Sequence, residues 1–110
     1  MLFAVSNVEI QNISAVIGQT ITCACYSADS GVEWRWQDGL LPLLIYISGN
    51  ILRLYASQFS VESAGGWHNL TGNVTSSKIN HFLCYKGDGG PLIKRCVINV
   101  VAVAGIFLLL

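Results

Sequence analysis

The sequence predicts an all-β sandwich of two antiparallel sheets. Three observations carry that prediction. Short β-favouring runs recur between turn residues, about nine of them, and no long helical pattern interrupts them. Two runs alternate apolar and polar residues strictly, as strands with one buried face do. Four cysteines, Cys23, Cys25, Cys84 and Cys96, lie within or beside such runs.

The elements follow in order. Val8–Ile17 is a first strand, interrupted near Asn12, and Gly18-Gln19 turns the chain into Thr20–Cys25. There Ile21, Cys23 and Cys25 share one face, and Thr20, Thr22 and Ala24 the other. In "VEWRWQ", Val32, Trp34 and Trp36 oppose Glu33, Arg35 and Gln37. "DGLLP" turns into Leu43–Ile47, and "SGN" turns again. Leu52–Tyr55, Phe59–Ser63, Trp67–Val74 and His81–Lys86 are the next strands, with one possible helical turn at Ser76–Asn80. "GDGG" then leads to a closing strand from Leu92.

Composition narrows the function. At 110 residues there is room for one small core. The six basic and six acidic residues cancel, so no long-range field favours nucleic acid. Charged residues are 11% of the chain, against roughly 25% in an average soluble domain. The cysteine spacing is C-x-C, and neither His68 nor His81 is near a cysteine in sequence, which argues against a metal site. Candidate acids and bases exist (the two histidines, Asp29, Asp38, Asp88, Glu9, Glu33 and Glu62), but none sits in a nucleophile motif or phosphate cradle. No enzymatic activity and no cofactor are expected.

Three N-x-S/T sequons, at Asn12, Asn69 and Asn73, favour the secretory pathway and an extracellular or cell-surface location. "MLFAVS" is too short for a secretory leader, so the leader is expected outside this chain. Residues 1–101 form the expected domain. The apolar tail 102–110 is either a strand end or part of a membrane span, and about twenty apolar residues would be needed to cross.

At this point the chain resembles an immunoglobulin variable-type domain, of the T-cell-receptor or antibody light-chain kind. "GQTITCAC" resembles the second strand of such domains. "WRWQDGLLPLLIY" is similar to their W-Y-x-Q-D/K-P-G-x-x-P-x-L-L-I-Y segment, about two residues shorter. "QFS" resembles the R-F-S that opens their strand D, and "LTGNVTSSKINHFLC" the approach to their second bridge cysteine. The departures are specific. Gln58 and Lys78 stand where the family has an Arg–Asp ion pair, so both partners have gone together. Phe82 replaces the corner tyrosine, and "GGPLIKRCVINVV" replaces F/W-G-x-G. The missing motif points away from a rearranged antigen receptor.

The resemblance implies a bridge from Cys84 to either Cys23 or Cys25. The family's glycine, seven residues before the first cysteine, favours Cys25 through Gly18. Tryptophan spacing allows Cys23 with Trp34 or Cys25 with Trp36, and Gln37, Pro42 and Tyr46 favour Trp34 as the core tryptophan. The balance favours Cys25–Cys84, with Cys23 as a buried apolar filler. Cys96 is free, pairs with Cys23, or links another chain.

The resemblance also implies a role: non-enzymatic recognition within an extracellular or cell-surface immune-type receptor, with a protein ligand or antigen as partner. Ligand contacts are expected from loops at one end, through Tyr26, Asp29, Ser48, Asn50, Tyr85, Lys86 and Asp88. Pairing with a second variable-like domain is expected through Gln37, Pro42, Leu43, Tyr46 and Leu83. The alternative is a structural, adhesion or viral glycoprotein module that binds through a sheet face.

Overall fold

A computed structural model describes residues 8–28, 31–75 and 79–101. They form nine strands: β1 Glu9–Ala15, β2 Thr20–Cys23, β3 Val32–Gln37, β4 Leu43–Ile47, β5 Asn50–Ile51, β6 Phe59–Ala64, β7 Trp67–Asn73, β8 Asn80–Lys86 and β9 Leu92–Val100. Six make one sheet in the order β1-β9-β8-β3-β4-β5, and three make the other, β2-β7-β6. The fold is an all-β sandwich, compatible with an immunoglobulin-like domain.

Three expectations change. β1 runs unbroken through Asn12 and pairs with β9 in parallel, Glu9 opposite Lys94 and Ala15 opposite Val100, so one pair is not antiparallel. Its polar Glu9, Gln11 and Asn12 lie exposed on an edge strand, where polar residues do not break the ladder. Leu52–Tyr55 is not a strand. Ser48 and Gly49, both at positive φ, fold Asn50 straight back against Ile47, and Arg53–Tyr55 then makes a 3-10 turn. Lys78 and most of the expected turn at Ser76–Asn80 lie outside the described residues, as does the tail 102–110.

The alternating runs behave as their pattern demands. Ile21, Cys23 and Cys25 are buried, and Thr20 and Thr22 are exposed. In β3, Val32 and Trp34 are buried, while Glu33 and Arg35 lie on the other face. A bulge between β3 and β4 pairs Trp34 with Tyr46 but Arg35 with Leu44. The extra residue lets consecutive Ile45 and Tyr46 both join the core.

Two disulfides cross the sandwich. Cys25 is joined to Cys84 on β8, with Cα atoms 6.6 Å apart, and Cys23 to Cys96 on β9, 6.4 Å apart. Cys23 is therefore not a lone filler. It ends β2, Cys25 lies buried two residues beyond, and Cys96 points inward from β9, beside Phe82 in the register. Trp34 lies directly opposite Cys84 and has no exposed surface, which makes it the core tryptophan. Two disulfides in a domain this small are the pattern of secreted and extracellular proteins.

Below the bridges, Trp36, Tyr55, Phe59 and Phe82 form an aromatic cluster with centroids 5.6–6.5 Å apart. Gly72 on β7 leaves the space that the Phe59 ring fills, so a side chain there would displace it. Trp36 Nε1 donates to Asn80 Oδ1 at 3.0 Å, which satisfies a polar group at the core's edge. Lys94 is buried beside the bridges, with Nζ 3.6 Å from Glu9 Oε2 on the neighbouring strand.

The pairing can be checked by thiol release. Cys23→Ala should free Cys96 for alkylation in denaturant and leave Cys84 blocked, whereas Cys25→Ala should free Cys84. A Cys84 thiol freed by Cys23→Ala would reverse the assignment. Removing either bridge as a Cys-to-Ala pair should cost about 2–4 kcal/mol in denaturant unfolding.

Candidate functional site

The β2–β3 connection, the β4–β5 turn and the β8–β9 turn meet at one end, because Val32 opens β3 opposite Lys86, where β8 closes. They enclose a cleft of about 190 Å³. Gly31, Glu33, Ile47, Ser48, Asp88 and Gly89 are among its walls. The Gly87 amide donates to the Gly31 carbonyl at 2.8 Å and holds two of the loops together. A Cβ at Gly87 would stand 2.7 Å from that carbonyl oxygen, so glycine is required for the contact.

Ser48 and Asp88 both line the cleft, and both have positive φ, 53° and 61°. Serine and aspartate seldom adopt that conformation, and tight turns at each position impose it here. The Lys86 amide donates to Pro91 O at 2.9 Å, and the Gly90 amide to Lys86 O at 3.1 Å, which closes the turn that carries Asp88. Glu33 pairs with Arg35, whose guanidinium lies 4.9 Å from the Tyr85 ring centroid. The cleft is thus polar on two walls, with Ile47 as an apolar side.

The predicted ligand residues divide. Ser48 and Asp88 line the cleft. Asn50 lies in β5 and donates to Ser48 O at 3.2 Å, bracing the turn. Tyr85 and Lys86 are the last residues of β8 and not loop residues, and Tyr85 lies beneath Arg35 on the face of the larger sheet. Asp29 lies outside the described residues.

Tyr26 meets a residue that sequence reasoning passed over. Its ring lies edge-on to Trp67, centroids 5.2 Å apart, with the two side chains 53% and 48% exposed. Backbone bonds fix the pair: Ser27 N to Gly66 O at 2.8 Å and His68 N to Cys25 O at 2.7 Å. "AGGW" held the available signal, an aromatic residue directly after a two-glycine turn.

The predicted pairing face is partly occupied by the chain itself. Gln37 donates its amide to Gly39 O and Leu40 O of its own turn, at 3.2 and 3.3 Å. Tyr46 is buried in the core cluster, and Leu83, 2% exposed, sits in register between Arg35 and Arg95. Leu43, 44% exposed, and half-buried Pro42 are the accessible members. On the same face His81 shares a hydrogen bond of 3.3 Å with Arg95. Burial, reinforced by the Arg95 charge, holds the His81 pKa below its ordinary 6.5.

The sequons differ in setting. Asn12 and Asn73 are exposed, and each receives a hydrogen bond at Oδ1, from Asn99 Nδ2 and Thr20 Oγ1 respectively. That orientation leaves their Nδ2 atoms facing away from those bonds. Asn69 is half-buried, and its Oδ1 has no hydrogen-bond partner.

Among the described residues no cluster of three or more His, Cys, Asp or Glu could hold a metal ion, and no helix is long and apolar enough to cross a membrane. His68 shares a hydrogen bond of 2.8 Å with Ser63 Oγ across the β6–β7 hairpin. No protein-family model matches this sequence, and no curated protein matches it.

Two outcomes follow from these settings. When the chain is secreted from glycosylating cells behind a supplied leader, Asn12→Gln and Asn73→Gln should each remove one glycan by mass, and Asn69→Gln none. For His81, a depressed native pKa means that the unfolded chain binds the proton more readily. Stability is then full above pH 6.5 and falls as pH drops from there through the native value. His81→Gln should flatten that limb of the melting temperature against pH, and an NMR titration should place the native pKa below 6.5.

Proposed function

We propose that this chain is a variable-type immunoglobulin-like recognition domain of an extracellular or cell-surface immune-type receptor. It acts without catalysis and binds a protein ligand at its loop end. The carrying observation is the cleft between the three loops, whose walls include Ser48 and Asp88 on turns of fixed backbone. A rigid turn loses little entropy on binding, so polar groups on it give orientation-specific contacts. The exposed Tyr26–Trp67 pair supplies contact area near the same end, in the residue types that dominate binding energy at interfaces.

Support for the variable-type reading is the order of the strands. The larger sheet holds the first strand, the last strand and a short β5 at its far edge, and Trp34 lies against the Cys25–Cys84 bridge. Nine strands, with β4 and the short β5 at one edge of the larger sheet, fit the variable-type pattern. Pairing with a second variable-like domain would use Leu43 and Pro42 more than Tyr46 or Leu83, since the latter two are already covered.

A multimerised form of the full chain, screened against displayed cell-surface proteins, tests the proposal. Asp88→Ala with Ser48→Ala should weaken the captured interaction by at least tenfold, and Trp67→Ala similarly. Thr22→Ala, on the outer face of the smaller sheet, should leave it unchanged. Binding that survived the loop changes but was lost on Arg35→Ala or Tyr85→Ala would favour the sheet-face adhesion module instead.

A further inference from the structure

The end of the sandwich opposite the cleft is built differently. Ala15 and Val100 end β1 and β9 there, Asn80 opens β8 opposite Ile98, and Gln37 ends β3 opposite His81. The turns that project from this end carry Ile17, Leu40, Leu41 and Ile79, which are 58%, 94%, 75% and 56% exposed. Val101, 47% exposed, lies in the same layer through the bond from its amide to Ala15 O. Among the described residues of these turns Asp38 is the one charged side chain. Monomeric domains seldom gather large exposed aliphatic residues at the tips of adjacent turns, and such a gathering marks a contact surface.

What covers it is indicated by the chain itself. After Val101 the sequence continues as "AVAGIFLLL", nine residues without a charge. Wherever that apolar stretch partitions, the Ile17, Leu40, Leu41 and Ile79 turns are tethered beside it. We propose that this end of the domain rests on a lipid surface, with the aliphatic tips entering the headgroup layer and the cleft facing away from it. The contact would draw on apolar burial of these tips and not on attraction to anionic lipid, which suits a zwitterionic bilayer.

The full chain with phosphatidylcholine vesicles tests this. Leu40→Asp with Leu41→Asp lies in an exposed turn that the core does not need, and it should lower vesicle association in flotation at least tenfold. Ile10→Asp, at a 61% exposed isoleucine of β1 five residues before Ala15, should leave association unchanged. Placing a reporter separates the end from the tail. Leu40→Trp should gain fluorescence that brominated phosphatidylcholine quenches, and Ile10→Trp should gain fluorescence that it does not. Absent vesicle binding, equal quenching at both positions, or no quenching at Leu40→Trp would overturn the proposal. So would Leu40→Asp with Leu41→Asp dissolving a dimer present without lipid, since the occupant would then be a second copy. None of these readouts depends on the ligand of the cleft, so this proposal and the recognition reading fail separately.

Discussion

Two covalent rungs start two residues apart, one at the last residue of β2 and one just past it, and the sandwich is organised around them. β2 pairs only with β7 within its sheet. Cys23 and Cys25 tie it across the interior to β9 and β8, neighbours in the opposite sheet. Trp34 fills the space beside the Cys84 rung, and its Nε1 is buried with no hydrogen-bond partner. An indole N–H left unsatisfied in the interior is a real cost. The apolar burial of the ring offsets it, in one core cluster with Cys25, Cys84, Ile45, Leu70 and Ile98.

Much of this arrangement was readable in the residues, because period-two alternation fixes which side chains face inward. That held for Thr20–Cys25 and for Val32–Gln37 with hardly a change. The alternation does not say which inward cysteine meets which, since a slip of two keeps every side chain on its own face. The partner of Cys23 became clear only when β9 lay beside β8 and brought Cys96 inward. The parallel run of β1 beside β9 was likewise hidden, because a single strand's pattern carries no direction. Leu52–Tyr55 misled because its apolar residues suit a strand, while the preceding turn spends the available edge on Asn50 and Ile51.

The candidate site was less legible than the fold, for a physical reason. Loop residues were chosen by type and position, but whether they converge depends on the backbone of each turn. Ser48 and Asp88 converge because both turns force positive φ. Tyr85 does not, because it is a strand residue of β8 that faces Arg35 on the sheet. Trp67 entered through a backbone bridge to Tyr26 from a hairpin outside the three loops considered. The two ends of the molecule then divide in character: a polar cleft and an aromatic pair at one, and aliphatic tips at the other.

The Cys23–Cys96 bond also governs how the domain would answer to mechanical tension. A pull applied before β1 and after β9 draws these parallel neighbours in opposite directions, so their hydrogen bonds are loaded together in shear and not one by one. If they yield, extension stops at the disulfide. The 73-residue span from Cys23 to Cys96 lies outside the force path. Roughly 250 Å of extended chain, at about 3.4 Å per residue, is thereby withheld. The loops that form the cleft all lie within that span, so the cleft would stay shielded while the outer strands pay out.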